Sequence, residues 1–172
     1  KRDDPEYLRY LQSYYENAVI VPEGGSQQLA LEGINEIHSE LIQHYDYIVL
    51  PVASGGTMAG LIAGNQCLQT SILGIAVLKG ESYLEDLVKK LLPDTHNNRW
   101  RIEHKFHGGG YAKQPPELQT FCQAFKHTSG FEIEPVYSGK VFFAARQLLQ
   151  QGVFEPNSNV LILHTGGLQG AR

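Results

Sequence analysis

The sequence predicts an α/β protein, a three-layer sandwich whose mainly parallel sheet is covered by helices on both faces. Three observations predict it. Short apolar runs of strand length (Tyr47–Val52, Ser71–Val77, Val160–Leu163) are separated by segments of helical length with apolar residues at helical spacing. These runs are nearly continuous rather than alternating, as suits strands buried on both faces. Glycine-rich turns follow the strands, and in open α/β sheets ligands bind beyond the carboxyl ends of strands.

The elements follow in order. Asp4-Pro5-Glu6 reads as a helix start, with an acidic cap and proline at the first helical position, and Leu8, Leu11 and Tyr14/Tyr15 continue the pattern. Ala18–Val21 is a short β-branched run ended by Pro22 and reads as a strand. Ser26 reads as the cap of a helix reaching about His44, with Leu29, Gly33, Ile34, Ile37 and Leu41 on one face. Tyr47–Val52 is a buried strand, and Met58–Leu68 is a helix after the turn Ala53-Ser54-Gly55-Gly56-Thr57. Ser71–Val77 is the next buried strand, and Tyr83–Leu92 is a helix stopped by Pro93. Arg99–Phe106 alternates, with Trp100, Ile102, His104 and Phe106 on one side, as in a strand with one exposed face. Pro116–Ser129 and Val141–Gln151 are helical, and Val160–Leu163 is the last strand.

The 172 residues are 42% apolar and 19% charged, the balance of one globular domain spanning residues 1–172. Net charge is −4 and the basic residues do not cluster, so no nucleic-acid partner is expected. The apolar runs are too short to span a bilayer, so no membrane partner is expected either. Cys67 and Cys122 lie in helix-like segments among apolar neighbours. They read as buried thiols in a reducing, cytoplasmic setting. The histidines show no metal-ligand spacing, and no metal is expected.

Four glycine turns fall at the ends of expected strands: Gly24-Gly25-Ser26, Ser54–Thr57, Gly108–Gly110 and Thr165-Gly166-Gly167. Their convergence on one sheet edge is the expected site. At Ser54–Thr57, glycines let backbone N–H groups point inward, and the following helix offers its unpaired donors and positive dipole end. Ser54 and Thr57 add hydroxyls. The turn reads as a phosphate cup, although it has neither Walker-loop nor dinucleotide-loop spacing. Tyr137-Ser138-Gly139-Lys140 opens a helix; Tyr137 could move a proton if something lowers its pKa, or it could simply be a packed aromatic. Lys140 reads as a solvated helix residue.

Five segments in register carry a resemblance: Pro22–Ser26, Val52–Leu61, Gly110-Tyr111, Glu134–Lys140 and Leu163–Gly167. Together they resemble the C-terminal half of the 1-aminocyclopropane-1-carboxylate deaminase / D-cysteine desulfhydrase family. Its members are pyridoxal 5′-phosphate enzymes of the tryptophan-synthase-β type. The resemblance implies that Ser54, Gly55, Gly56 and Thr57 surround the cofactor's phosphate. It implies that Tyr137 and Tyr111 are the active-site tyrosines and that Ser138 faces the pyridine nitrogen. Ring-opening members carry Glu at that last position. A Ser hydroxyl supports a protonated ring less well, which favours β-elimination from a cysteine-like amino acid over ring opening.

The resemblance also implies that the chain is the larger, cofactor-binding domain of the fold, incomplete. The family's Schiff-base Lys and a Ser-Asn segment contacting substrate would belong to an N-terminal half outside these residues. On that reading the chain alone is inactive, and the full-length enzyme is a homodimer acting on a small amino acid. The rival expectation is a non-catalytic domain binding a phosphorylated metabolite in the same cup.

Overall fold

A computed structural model describes residues 4–67, 69–96 and 99–168. Four strands, β1 (Tyr47–Val52), β2 (Ser71–Ala76), β3 (Trp100–Glu103) and β4 (Val160–Ile162), form a sheet of order β3-β2-β1-β4. Every pairing is parallel, with Tyr47 opposite Ser71 and Val160, and Ile72 opposite Trp100.

The helices are α1 (Pro5–Tyr14), α2 (Gln28–Asn35), α3 (Ile37–Glu40), α4 (Gly56–Gly64), α5 (Tyr83–Leu91), α6 (Pro116–Ser129) and α7 (Ser138–Gln150). Alternate residues of the central strands face opposite layers, which produces two cores. On one face Ile48, Leu50, Val52 and Ile72 pack with Leu31 of α2, Met58, Leu61 and Ile62 of α4, and Leu84 and Val88 of α5. On the other face Val49, Leu73 and Ile75 meet Val141, Ala144 and Leu148 of α7. Outside α7, Leu118 and Cys122 of α6 join Ile133 among Phe121, Phe125, Phe142 and Phe143. The predicted three layers are present.

Several expected elements differ. Ala18–Val21 is not a strand: Val19 is 81% and Val21 66% exposed, and a β-branched run pairs only where another strand meets it. The helix expected from Ser26 to His44 breaks into α2 and α3 at Glu36, and Ile34, Ile37 and Leu41 all still reach the first core. Leu31, not Leu29, is its buried anchor; Leu29 is exposed. Helix α4 starts two residues before Met58 and stops at Gly64, and Leu68, its expected end, lies outside the described residues. β3 is shorter than the expected strand and ends before His104 and Phe106. Helix α7 begins at Ser138, three residues before its expected start.

Helix α1 starts as its sequence requires: the Asp4 carboxylate accepts the Glu6 N–H at 2.9 Å, with Pro5 at the first helical position. Neither cysteine is in a disulfide. Cys122 is buried as expected, but Cys67 is exposed, because α4 ends three residues before it. Among the described residues no helix is long and apolar enough to cross a membrane.

Candidate functional site

Because all four strands run the same way, β1, β2, β3 and β4 end at one edge, and the glycine turns meet there. After Val52 the chain turns through Ser54 and Gly55 into α4. Gly55 caps that helix with φ of 85°, a left-handed conformation that glycine adopts at least cost. A side chain at Gly55 would also press on Val88, whose Cγ2 lies 3.2 Å from where a Cβ would stand.

The turn at residues 24–26 packs directly on this loop. A Cβ on Gly56 would stand 2.6 Å from Ser26 Oγ, and one on Gly24 would stand 2.3 Å from Ser54 Oγ. Ser26 is therefore not the helix cap that its position suggested. Gln27 occupies the cap position of α2, and the Ser26 hydroxyl instead donates to Ser54 Oγ at 2.7 Å.

Pro51, Ala53, Ser54, Gly55, Gly56, Thr57 and Met58 line an open cup of about 120 Å³, closed from the other side by Tyr137 and Thr165. The four residues read from the sequence as a phosphate loop and the tyrosine read as catalytic thus share one cavity. The cup joins the first N–H groups of α4, which have no partner within the helix, to the hydroxyls of Ser54, Thr57 and Thr165. That donor set fits a phosphate dianion. Among the described residues no lysine lines it.

Tyr137 precedes α7, and its hydroxyl donates to Tyr111 Oη at 3.4 Å across rings 6.2 Å apart. Burial, then the hydrogen bond and charge of Tyr111, push its phenol up to about 12. The sequence reading required something to lower it; the surroundings do the opposite. At neutral pH Tyr137 therefore holds its proton and can donate it.

Ser138 is the first residue of α7 and fully buried, lying behind Tyr137 in the chain rather than on the cup wall. Its hydroxyl lies 3.2 Å from Glu134 Oε1, to which it donates, and accepts the Glu134 N–H at 3.0 Å. Glu134 entered the sequence pattern only as the start of the Glu134–Lys140 segment, with no role of its own. It is 0% exposed, and its carboxylate accepts the N–H groups of Val136 (2.6 Å), Tyr137 (2.8 Å) and Ser138 (2.7 Å). A carboxylate at a helix N-terminus satisfies orphan donors and complements the dipole. An acid just upstream of a predicted helix was the signal that could have found it.

Lys140 also differs from its expected place. The solvated reading fails because its side chain turns inward and is 0% exposed, with Nζ donating to Gly110 O at 2.8 Å and Val77 O at 3.2 Å. Burial lowers its pKa, with the charge of Glu134 opposing. The ammonium ties the loop carrying Tyr111 to the end of β2. His164 is packed and hydrogen-bonded, with Nε2 3.3 Å from Glu132 O and Nδ1 accepting the Gly166 N–H at 3.1 Å. Among the described residues no group of three metal-ligating side chains is placed to hold an ion.

With this geometry in view, comparison with known proteins gives a consistent result. The family model described as pyridoxal-phosphate dependent enzyme matches residues 3–166. A bifunctional D-cysteine desulfhydrase/1-aminocyclopropane-1-carboxylate deaminase, mitochondrial, from Arabidopsis thaliana is 31% identical over 170 residues, which is 88% of this chain and 42% of that protein. A crystal structure of an ACC deaminase homologue superposes with a TM-score of 0.74 at 26% identity, covering 98% of this chain and 57% of that one. The chain spans about half the length of the relatives it matches.

Proposed function

The chain belongs to the pyridoxal-phosphate dependent enzymes, and from that premise we propose that it supplies the cofactor-phosphate cup and the acid–base tyrosines of an enzyme acting on a small amino acid. The single observation that carries this reading is the cup itself: a left-handed glycine cap, helix donors and three hydroxyls, with Tyr137 on the facing wall.

The cofactor, when bound, supplies an electron sink for the substrate's reacting carbon. The chain's own residues do the rest. Ser54, Gly55, Gly56 and Thr57 hold the phosphate and so fix where the ring lies. Tyr137 keeps a proton at Oη for donation, and Tyr111 accepts its hydrogen bond until substrate displaces it. Ser138, fully buried behind Tyr137 with its hydroxyl proton given to Glu134, does not line the cup and instead helps to fix the backbone that carries Tyr137. Burial, then the charges of Lys79 and Lys140, hold His107, in the loop leading to Tyr111, below its ordinary pKa. No lysine reaches the cup among the described residues, so the lysine that bonds the cofactor is expected from sequence beyond them, and the chain alone is expected to be inactive.

Position 138 holds Ser where ring-opening members carry Glu, so it offers the pyridine nitrogen no carboxylate, which favours β-elimination from D-cysteine over opening of a cyclopropane ring. In the full-length protein, sulfide release from D-cysteine should outpace α-ketobutyrate release from 1-aminocyclopropane-1-carboxylate. Equal or faster ketobutyrate release would overturn the preference. If the full-length protein gave no visible cofactor band yet bound inorganic phosphate in the cup, the rival binding-domain reading would replace it.

A further inference from the structure

At the opposite edge of the sheet, where β1 and β2 begin, lies an open cleft of about 560 Å³, against about 120 Å³ for the cup. It is bounded by α2, α3, the end of α4 and the segments entering the two strands, and the proposed reaction uses none of it. Three chemically competent side chains meet there. Cys67 Sγ lies 3.8 Å from His44 Nδ1, and His44 Nε2 lies 3.4 Å from Asp46 Oδ1. The Asp46 carboxylate is itself fixed, because its Oδ2 accepts the Asn159 N–H at 2.7 Å. A nucleophile within reach of a base, with the base aimed by a third group, is the arrangement that activates a thiol.

We propose that Cys67, His44 and Asp46 form a second reactive site, in which the Cys67 sulfur exchanges with a small disulfide carrying an ammonium group. The cleft selects the charge: Glu32 and Glu36 line it, and among the described residues no lysine or arginine does. The remaining titratable groups lining it are His38, His44, Tyr45 and Cys67 itself.

Hydrogen bonds lower the Cys67 thiol to about 7, the Thr70 side chain first, then backbone amides, with a smaller effect of His44 charge. The Thr70 hydroxyl also donates to Tyr45 O at 2.8 Å, and its single proton serves the sulfur only by turning from that carbonyl. That leaves more of the activation to His44. Cys122 is the internal contrast, because burial pushes its thiol up to about 11.

In the exchange, the thiol gives its proton to His44 Nδ1 and the sulfur attacks one sulfur of the disulfide. A new S–S bond to Cys67 forms as the old one breaks, and the departing thiolate takes the proton from His44. The disulfide is the only co-reactant, and no other oxidant is required.

The test reacts the native full-length protein with cystamine at neutral pH and follows adducts at Cys67 and Cys122 by peptide mass spectrometry. Cys67 should react about tenfold faster than in the denatured chain, and Cys122 should react only on unfolding. His44→Gln should slow the Cys67 adduct by about tenfold at neutral pH and much less above pH 9, where bulk base deprotonates the thiol. A dianionic aromatic disulfide should show less native-state acceleration than cystamine. Cys67 reacting no faster than in the denatured chain would overturn the site without need of any variant. A His44→Gln rate within twofold of the parent would overturn the relay, and equal acceleration of the anionic disulfide would overturn the charge selection.

Discussion

Glu134 joins helix and site through one buried carboxylate. It accepts three consecutive N–H groups at the start of α7 and holds the Ser138 hydroxyl, so the backbone on both sides of Tyr137 is fixed by a single side chain. Hydrogen bonds to a charged group are worth roughly 1.5–3 kcal/mol, and Glu134→Ala should cost about that much in urea unfolding, with Glu134→Gln costing less. Gly55 is constrained by conformation instead of charge. Gly55→Ala should cost roughly 1–3 kcal/mol through its left-handed φ and the Val88 contact, and should weaken cofactor binding as well. Tyr137 gives a pH prediction. Its phenol is raised from 10 to about 12, so any stability linked to it is complete below pH 10 and is lost as pH climbs toward 12. The difference in ultraviolet titration between the parent and Tyr137→Phe should show a phenolate forming near the upper value. A phenolate appearing at 10 would remove the claim that Tyr137 is a held proton donor.

At the level of elements, what was legible depended on whether the signal was local. β1 and β2 were read nearly to the residue because a strand buried on both faces is a nearly unbroken apolar run. Helix α6 was read to both ends, since Pro116 opens it and Gly130, with φ of 79°, stops it. Turn chemistry singled out Ser54–Thr57 and the resemblance singled out Tyr137, and the fold brings all five residues around one cup. Ala18–Val21 misled because β-branching reports fitness for a sheet and not the presence of a neighbour. The depth of Lys140 was illegible for a related reason: only the folded chain brings Val77 O and Gly110 O to its ammonium. The same bond joins α7 to the Tyr111 loop, so Lys140→Met should free that loop. Trypsin should then cut after the exposed Lys113 several times faster than in the parent, with the unfolding midpoint moving far less. Unchanged cleavage would show that the loop is held by something else.

For the whole molecule, parallel order is what makes a site. It delivers four strand ends to one edge, where loops from distant parts of the sequence (24–26, 53–57, 107–111, 134–138 and 164–167) interlock within contact distance. The opposite edge, with Cys67 and its cleft, is left to other chemistry. The proposed function rests on the cup holding the phosphate of pyridoxal 5′-phosphate. The most direct measurement is the affinity of the full-length protein for the cofactor, followed by its visible absorbance, in the parent and in a Ser54→Ala/Thr57→Ala variant, with pyridoxal lacking the phosphate as comparison. The double variant should bind the phosphorylated cofactor at least about a hundredfold more weakly while binding pyridoxal unchanged, each of the two lost charged hydrogen bonds contributing roughly 1.5 kcal/mol or more. Equal affinity of parent and variant for pyridoxal 5′-phosphate would contradict it.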